Sequence, residues 1–186
     1  VELASIERQK ENIMPMKRGR SAAALAQVFS ENNDTRMAHL NEQHKRFQRE
    51  LEAAADLDDP LDSYYRYVRW TIDNYPQGHN HDSNLVPLLE QCTRTFHQDK
   101  RYQNDPRYLR CWLLYAENVK DPQLIFKYLE ANNIGQDLAA YYEEYATLLE
   151  SQGRWKLADE IYRLGINRFA QPLERLQRKY REFQHR

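Results

Sequence analysis

The sequence predicts an all-α protein, and three features of it carry that prediction. Apolar residues recur every three or four positions from residue 34 onward, which is the spacing of one helix face. Pro or Gly residues break the pattern between the helical stretches, and no stretch alternates apolar and polar residues as a half-buried strand does. Thirteen Tyr and three Trp supply the large rings that helical-repeat proteins place between paired helices.

The composition indicates a folded domain without a strong net charge. Apolar residues make up 41% and charged residues 30% of the 186 residues, as in a folded domain. Twenty-seven basic and 28 acidic side chains nearly cancel, so neither nucleic acid nor a membrane is favoured as a partner. Cys92 and Cys111 form no CxxC pair, which predicts free thiols in the nucleus or cytosol.

Residues 1–33 differ from the remainder of the chain and predict a helix-loop-helix arm. One short helix is expected from Glu2 to Gln9 and a second from Ser21 to Phe29, with Pro15 and Gly19 as breakers between them. Each helix is shorter than the ~12 to 15 residues that give marginal stability alone. We therefore expect the arm to order only on binding a partner.

Residues 34–186 are expected to form a tetratricopeptide-like domain. The first helix, from Asp34 to about Ala55, serves as an N-terminal cap, and its apolar stripe comprises Met37, Leu40, His44, Phe47, Leu51 and Ala54. The cap ends at Pro60, and about three helix pairs follow. Breakers at residues 76–78, at Pro122 and at Gly153 divide the two helices within each pair.

Aromatic residues are expected to open the first helix of each pair. They are Tyr65, Trp112 and Tyr142, which lie 47 and then 30 positions apart. The last pair also carries small residues at tetratricopeptide offsets, including Gly153, Ala158 and Gly165, where two helices would approach closely.

The sharpest short motif is Lys10-Glu11-Asn12, followed by Pro15. It matches the KEN degron that β-propeller activators of the anaphase-promoting complex recognise. The three side chains provide a positive charge, a carboxylate that only accepts hydrogen bonds, and an amide that both donates and accepts them. These groups are suited to hydrogen bonding with the loops of a propeller. Consecutive side chains point in different directions on a helix, so the motif requires a turn, which Pro15 favours. The alternative is a chance tripeptide of common residues on a solvated helix.

Other motifs carry weaker functional hypotheses. The run from Lys17 to Arg20 is an import or nucleic-acid signal, or a solvated linker that steers the arm onto an acidic surface. Arg154-x-x-Leu157 fits a minimal destruction box, although Leu157 is expected on the core face. His79 and His81 lie in a polar loop without a second ligand cluster, so no metal site is expected. No catalytic constellation is evident, so we expect neither enzymatic activity nor a cofactor.

The arm and the repeats together, in this order, resemble the N-terminal region of the BUB/MAD spindle-assembly-checkpoint family. The residues that carry the resemblance are the KEN motif, Pro15, the Arg18-Gly19-Arg20-Ser21-Ala22 stretch and the repeat domain. The chain looks closest to the kinase-lacking yeast type, MAD-three.

The resemblance implies membership of the mitotic checkpoint complex in the nucleus and at kinetochores, with a cytoplasmic pool. The motif would occupy the degron site of a fizzy-type β-propeller activator, with a MAD-two-type HORMA-domain protein alongside. It also implies a second KEN motif elsewhere in the whole protein, and a kinetochore scaffold peptide as a further ligand of the repeats. The expected contact residues of the arm are Lys10, Glu11, Asn12, Pro15, Leu3, Ile6, Arg18 and Arg20.

Two hypotheses for function follow from these observations. In the first, the chain is a pseudosubstrate inhibitor, in which the KEN motif fills the activator's degron pocket and the repeat domain adds contacts. In the second, the chain is a generic helical-repeat scaffold that grips a peptide in its concave groove and carries KEN as a signal for its own degradation.

Overall fold

A computed structural model describes residues 22–23, 33–75 and 83–186, and its secondary structure is helical. Within these ranges the longer helices are α1 (Asn33–Ala53), α2 (Pro60–Asn74), α3 (Leu85–Phe96), α4 (Pro106–Ala116), α5 (Pro122–Ala131), α6 (Ala139–Ser151), α7 (Trp155–Asn167) and α8 (Leu173–His185). Short 3-10 turns cover Ala54–Asp56 and Lys100–Tyr102. The described ranges contain no strand, so the predicted all-α class is confirmed. The predicted helix-loop-helix arm lies outside them, except for Ala22 and Ala23, which are helical and exposed.

Asp-Pro dipeptides set three of the helix starts. Helices α2, α4 and α5 begin at Pro60, Pro106 and Pro122, each directly preceded by Asp. Proline suits the first helical position because that residue's N–H would have no intrahelical partner and its φ is already helical. Asp105 adds a side-chain cap, because its carboxylate accepts a hydrogen bond from the backbone N–H of Arg107.

A repeated C-terminal cap ends α5, α6 and α7. In each, a residue in the left-handed region donates its N–H three residues back, and the following residue donates five residues back. The left-handed residues are Asn133 (φ +55°), Gly153 (φ +72°) and Phe169 (φ +56°). This Schellman motif satisfies the last carbonyls of each helix, and the chain then continues into the next helix.

The helices form two layers. The first helices of the three pairs, α2, α4 and α6, pack against one another in order, and α8 packs against α6. Helices α3, α5 and α7 pack against the helices that precede and follow them. Helix α1 packs on α2, as expected of an N-terminal cap. The fold is therefore the predicted tetratricopeptide-like arrangement of three helix pairs, with α8 after the last pair.

Equivalent tyrosines set the repeat register in the second and third pairs. The Tyr108 hydroxyl in α4 donates to the Thr93 carbonyl at 2.7 Å, and the Tyr141 hydroxyl in α6 donates to the Phe126 carbonyl at 2.9 Å. Donor and acceptor are 15 residues apart in both cases, and position 141 is 33 after position 108. The structure thus corrects the register predicted from Trp112 and Tyr142. Sequence spacing alone did not show which ring of each aromatic cluster reaches back to the previous helix.

The core is continuous through the three pairs. Trp112 is fully buried and lies 5.1 Å from the ring of Tyr128, measured between centroids. The close helix approach expected at Gly165 is confirmed, because a Cβ there would lie 2.5 Å from the Tyr142 ring. In the α1 stripe, Leu40 and His44 are buried as expected.

His44 connects α1 to the next helix pair. Its two ring nitrogens form hydrogen bonds with the hydroxyls of Tyr67 and Tyr75, at 2.6 and 2.9 Å. A buried polar group needs such partners, and they explain why an imidazole is tolerated in an apolar stripe. The apolar spacing predicted His44 on the core face, but it gave no indication of the two tyrosine partners.

Candidate protein-interaction surfaces

The residues expected to contact partners through the arm lie outside the described residues. This holds for Lys10, Glu11, Asn12, Pro15, Leu3, Ile6, Arg18 and Arg20, and also for the His79 and His81 loop. These expectations therefore stay predictions. The surfaces that the structure defines belong to the repeat domain.

A groove of about 610 Å³ runs between the first helices of the last units. Its apolar lining comes from the helices α4 and α6 and from the residues just before α6 and α8, and comprises Pro106, Leu109, Leu113, Leu138, Ala140 and Pro172. A groove of this size and lining is of the kind that takes a ligand's side chains.

Charged side chains border the same groove. Glu143 on α6 is mostly covered and accepts a hydrogen bond from the Arg175 guanidinium of α8 at 3.0 Å. Arg178 and Lys179, the next cations along α8, have 61% and 46% of their side chains exposed. They lie 3.9 Å from Glu182 of the same helix, a separation at which exposed ion pairs contribute little. The α8 wall therefore presents accessible positive charge.

A polar clasp joins the start of α2 to α4 on another part of the molecule. The Asp59 carboxylate accepts hydrogen bonds from the Tyr102 hydroxyl at 2.7 Å and from the Arg107 guanidinium at 2.8 Å. The guanidinium and hydroxyl stabilise the ionised form, so they lower the pKa of Asp59 below its ordinary value. Asp105 also holds Arg107, at 2.8 Å. We assign this clasp a structural role, because its groups satisfy one another.

Among the residues that the structure describes, three large apolar side chains are exposed: Leu57, Trp155 and Phe169. Trp155 stacks on Phe183 of α8, with ring centroids 5.8 Å apart. Phe169 is 69% exposed although it occupies the left-handed position of the α7 cap, where Gly or Asn is usual. No sequence pattern marked Phe169, because its unusual backbone conformation is visible only in the structure.

The predicted core residues and thiols are placed as expected. Leu157 packs against the core, so the minimal destruction box at Arg154 has a packing role at that position. Cys92 and Cys111 are free and fully buried, on α3 and α4. The neighbouring Cys111 thiol and burial both raise the pKa of Cys92, which keeps it protonated and poorly nucleophilic.

Two further features are absent from the described residues. Across residues 33–75 and 83–186, no group of three or more His, Cys, Asp or Glu is arranged to hold a metal ion. No helix in the described part of the chain is long and apolar enough to cross a membrane.

The family follows from comparison with known proteins. A model of Mad3/BUB1 homology region 1 matches residues 42–166, which is more than half of the chain. The chain belongs to the Mad3/BUB1 homology region 1 family. The matched residues run from α1 to α7 and so include all three helix pairs of the domain.

Relatives in this family come from yeast, plants and animals. The chain is 43% identical to mitotic spindle checkpoint component mad3 of Schizosaccharomyces pombe, over 100% of this chain and 60% of that protein. It is 37% identical to mitotic spindle checkpoint protein BUBR1 of Arabidopsis thaliana, over 94% of this chain and 44% of that protein. Identity to human mitotic checkpoint serine/threonine-protein kinase BUB1 beta is 38%, over 97% of this chain and 17% of that protein. The chain thus spans 60% or less of these three relatives.

Solved structures of the family have the same fold. A chain in a crystal structure of the mitotic checkpoint complex superposes with a TM-score of 0.84 and 42% identity, covering 100% of this chain and 86% of that one. The conserved N-terminal domain of the mitotic checkpoint component BUB1 superposes with a TM-score of 0.73 and 28% identity, covering 82% of this chain and 79% of that one.

Proposed function

We propose that this chain is a spindle assembly checkpoint component of a mitotic checkpoint complex, and that it inhibits the anaphase-promoting complex without enzymatic activity. The observation that carries the proposal is the likeness to a chain of the mitotic checkpoint complex, at 42% identity over the whole of this chain. The matched relatives are mitotic checkpoint proteins of a yeast, a plant and mammals. Such a role places the protein in the nucleus and at kinetochores.

In the proposed mechanism Lys10, Glu11 and Asn12 occupy the degron pocket of a fizzy-type β-propeller activator. A lysine, a carboxylate and an amide present three different hydrogen-bonding groups in consecutive positions, and the turn favoured by Pro15 displays them together. The motif acts as a pseudosubstrate, because it occupies the pocket that a true substrate needs.

The repeat domain is needed to make this inhibition strong. A three-residue motif buries little surface and binds weakly alone. A second contact in the same chain makes the motif's binding intramolecular, which raises its effective concentration. The pre-organised two-layer array of α1 to α8 offers a rigid surface for that second contact.

The other partners are proposed on the same family grounds. A MAD-two-type HORMA-domain protein packs on the arm near Leu3 and Ile6, whose apolar side chains have too few neighbours in the arm to form a core. Arg18 and Arg20 steer the arm toward acidic surfaces. The repeats also take a kinetochore scaffold peptide.

Competition for the purified activator tests the pseudosubstrate role. The chain should displace a labelled KEN-containing substrate peptide, and the triple substitution Lys10→Ala, Glu11→Ala and Asn12→Ala should abolish the displacement. Helix content and melting temperature should remain nearly unchanged, since the three positions precede the repeat domain in the chain. The control, Glu42→Ala with Lys45→Ala, removes the same charges at exposed positions of α1 and should compete normally.

A second control separates sequence recognition from charge attraction. Exchanging the motif's ends, with Lys10→Asn and Asn12→Lys, keeps composition and charge but changes the order of the three side chains. Full competition by this variant, or by the triple-alanine variant, contradicts the proposal. KEN-dependent ubiquitination of the chain without displacement of the substrate would instead favour the scaffold that carries its own degradation signal.

A further inference from the structure

The two cysteines of the chain form a buried thiol pair that the proposed role of the arm does not use. Both are free and fully buried. Cys92 lies on α3, the second helix of the first pair, and Cys111 lies on α4, the first helix of the second pair. A bond between their sulfur atoms would therefore join two helix pairs that otherwise hold together without covalent links.

The two thiols face each other across the interface of α3 and α4. The Tyr108 hydroxyl at the start of α4 donates to the Thr93 carbonyl near the end of α3, at 2.7 Å. Cys92 directly precedes Thr93, and Cys111 is about one helical turn after Tyr108, so both cysteines lie beside this bond. A hydrogen bond between the two thiols completes the contact.

The packing distance of helices is compatible with a disulfide between these positions. Axes of packed helices are about 8–10 Å apart, and each Cα lies about 2.3 Å from its axis. Residues that face each other therefore have Cα atoms roughly 4–6 Å apart, and a disulfide requires about 4.4–6.8 Å. Little backbone movement is needed for the two sulfur atoms to bond.

We propose that Cys92 and Cys111 form a disulfide when the protein meets hydrogen peroxide, and that this bond locks the first helix pair to the second. The Cys111 thiolate attacks one peroxide oxygen, so the O–O bond breaks, Cys111 becomes a sulfenic acid and hydroxide leaves. The Cys92 thiolate then attacks the Cys111 sulfur, so the S–S bond forms while the S–O bond breaks and a second hydroxide leaves. The two thiol protons convert both hydroxides into water. The two sulfur atoms together lose two electrons, which reduce the peroxide.

The order of the two steps follows from the hydrogen bond between the thiols. The neighbouring Cys111 thiol and burial both raise the pKa of Cys92. Cys92 therefore keeps its proton and donates the hydrogen bond to the Cys111 sulfur. Because the thiolate is the nucleophilic form, Cys111 attacks the oxidant first and Cys92 resolves the sulfenic acid.

Burial makes the pair selective for a small oxidant. A bulky disulfide or the active site of an enzyme does not reach fully buried thiols in the folded domain. Hydrogen peroxide is little larger than water and enters when α3 and α4 separate transiently. The disulfide is shielded from reductants in the same way, so the lock outlasts the oxidant. This property belongs to the fold and does not depend on the KEN motif.

The test treats the full 186-residue chain with hydrogen peroxide and follows the thiols by mass spectrometry. We expect a monomer in which the peptides of Cys92 and Cys111 are joined with the loss of two hydrogen atoms. The bond closes a loop over residues 93–110, so it restricts the unfolded chain and should raise the midpoint of urea unfolding by about 1 M. Absence of this disulfide in the native chain, or an oxidised chain no more stable than the reduced one, overturns the proposal.

Three variants locate the chemistry, and circular dichroism shows whether each remains folded. Cys92→Ala lacks the resolving thiol, so the sulfenic acid of Cys111 should accumulate and be labelled by dimedone after rapid unfolding. Labelling of Cys111→Ala at the same rate overturns the order of the steps. The control, Cys92→Ala with Cys111→Ala, keeps the three methionines that peroxide also oxidises and should show no increase in the urea midpoint. An increase in this control would mean that the stabilisation does not come from the disulfide.

Discussion

Gly165 shows how one missing side chain sets the distance between two helices. Its Cα lies so close to α6 that a Cβ would meet the Tyr142 ring at 2.5 Å and Leu176 at 3.0 Å. The Tyr142 ring is fully buried and its hydroxyl is held by the Gln136 carbonyl at 2.6 Å, so it cannot move aside without losing that bond.

Gly165→Ala should therefore destabilise the domain by about 1–3 kcal/mol, the range for overpacking. The loss should appear even though Ala is favoured over Gly inside a helix by roughly 1 kcal/mol. Urea denaturation followed by circular dichroism measures it. Helix α7 also contains Ala158, and Ala158→Gly is a useful comparison, because it removes a buried methyl without adding any contact. A Gly165→Ala protein as stable as the parent would contradict the close approach.

Phe169 presents the opposite case, a bulky residue where glycine is favoured. It has φ +56° at the cap of α7, a conformation that is strained for a residue with a Cβ. Phe169→Gly should raise the free energy of unfolding by about 0.5–1 kcal/mol, because it relieves that strain while losing a side chain that is 69% exposed. Chemical denaturation of both proteins gives the difference.

The matched control for this prediction is Phe169→Ala. Alanine removes the same ring but keeps the Cβ, so it should not stabilise the domain. Equal stabilisation by both substitutions would show that loss of the exposed ring, and not relief of backbone strain, is responsible.

At the scale of helices, the Asp59 clasp fixes α2 against α4. Hydrogen bonds from Arg107 and Tyr102 lower the pKa of Asp59, so the folded state favours the carboxylate. Stability from this group is present above the ordinary Asp pKa of about 3.9 and is lost as pH falls through the lower folded value. The Asp59 side chain is 46% exposed, so its contribution is screened by solvent.

Asp59→Asn should cost about 0.5–1 kcal/mol at pH 7, and the difference from the parent should shrink as pH falls below about 4. Urea titrations at pH 7, 4 and 3 measure this trend. Asp58→Asn, a change at the adjacent exposed residue, serves as the control and should have little effect. A constant difference across these pH values would mean that the effect does not depend on ionisation of Asp59.

At the scale of helices, some features could be predicted from the sequence and others could not. Helix positions were predictable because apolar spacing, Pro60, Pro122 and Gly153 act locally along the chain. Contacts between residues distant in sequence were not predictable from local patterns. Asp59, for example, binds Arg107, which lies 48 positions away in the chain. The residues that line the groove were not identified for the same reason, since three helices must pack before their residues share a surface.

The KEN motif, which is the site expected from the sequence, is a local feature of the chain. The KEN motif was identified from three adjacent residues, Lys10 to Asn12, without any knowledge of packing. Its proposed role depends on a partner's pocket, which the repeat domain does not contain. Motif and fold therefore contribute separately to the functional proposal. The motif provides the group that binds the partner's pocket, and the fold provides the surface for a second contact.

For the whole molecule, the core extends without interruption from Leu61 in α2 to Phe183 in α8. Each helix pair buries its apolar face against its neighbours, so no unit is expected to be stable alone. The three pairs should consequently unfold in a single cooperative transition.

Trp112→Ala tests that cooperativity from the middle of the domain. Trp112 is fully buried, with Tyr108, Tyr115 and Tyr128 around it at ring-centroid distances of 5.1–6.2 Å. Its removal should cost about 3–5 kcal/mol, the range for a buried large aromatic. Because the core is shared, the loss of helix measured by circular dichroism should occur in one transition. Hydrogen exchange should increase to the same extent in α2, α4 and α6. Exchange that rises in α4 while α2 and α6 keep the parent's protection would show instead that the pairs unfold independently.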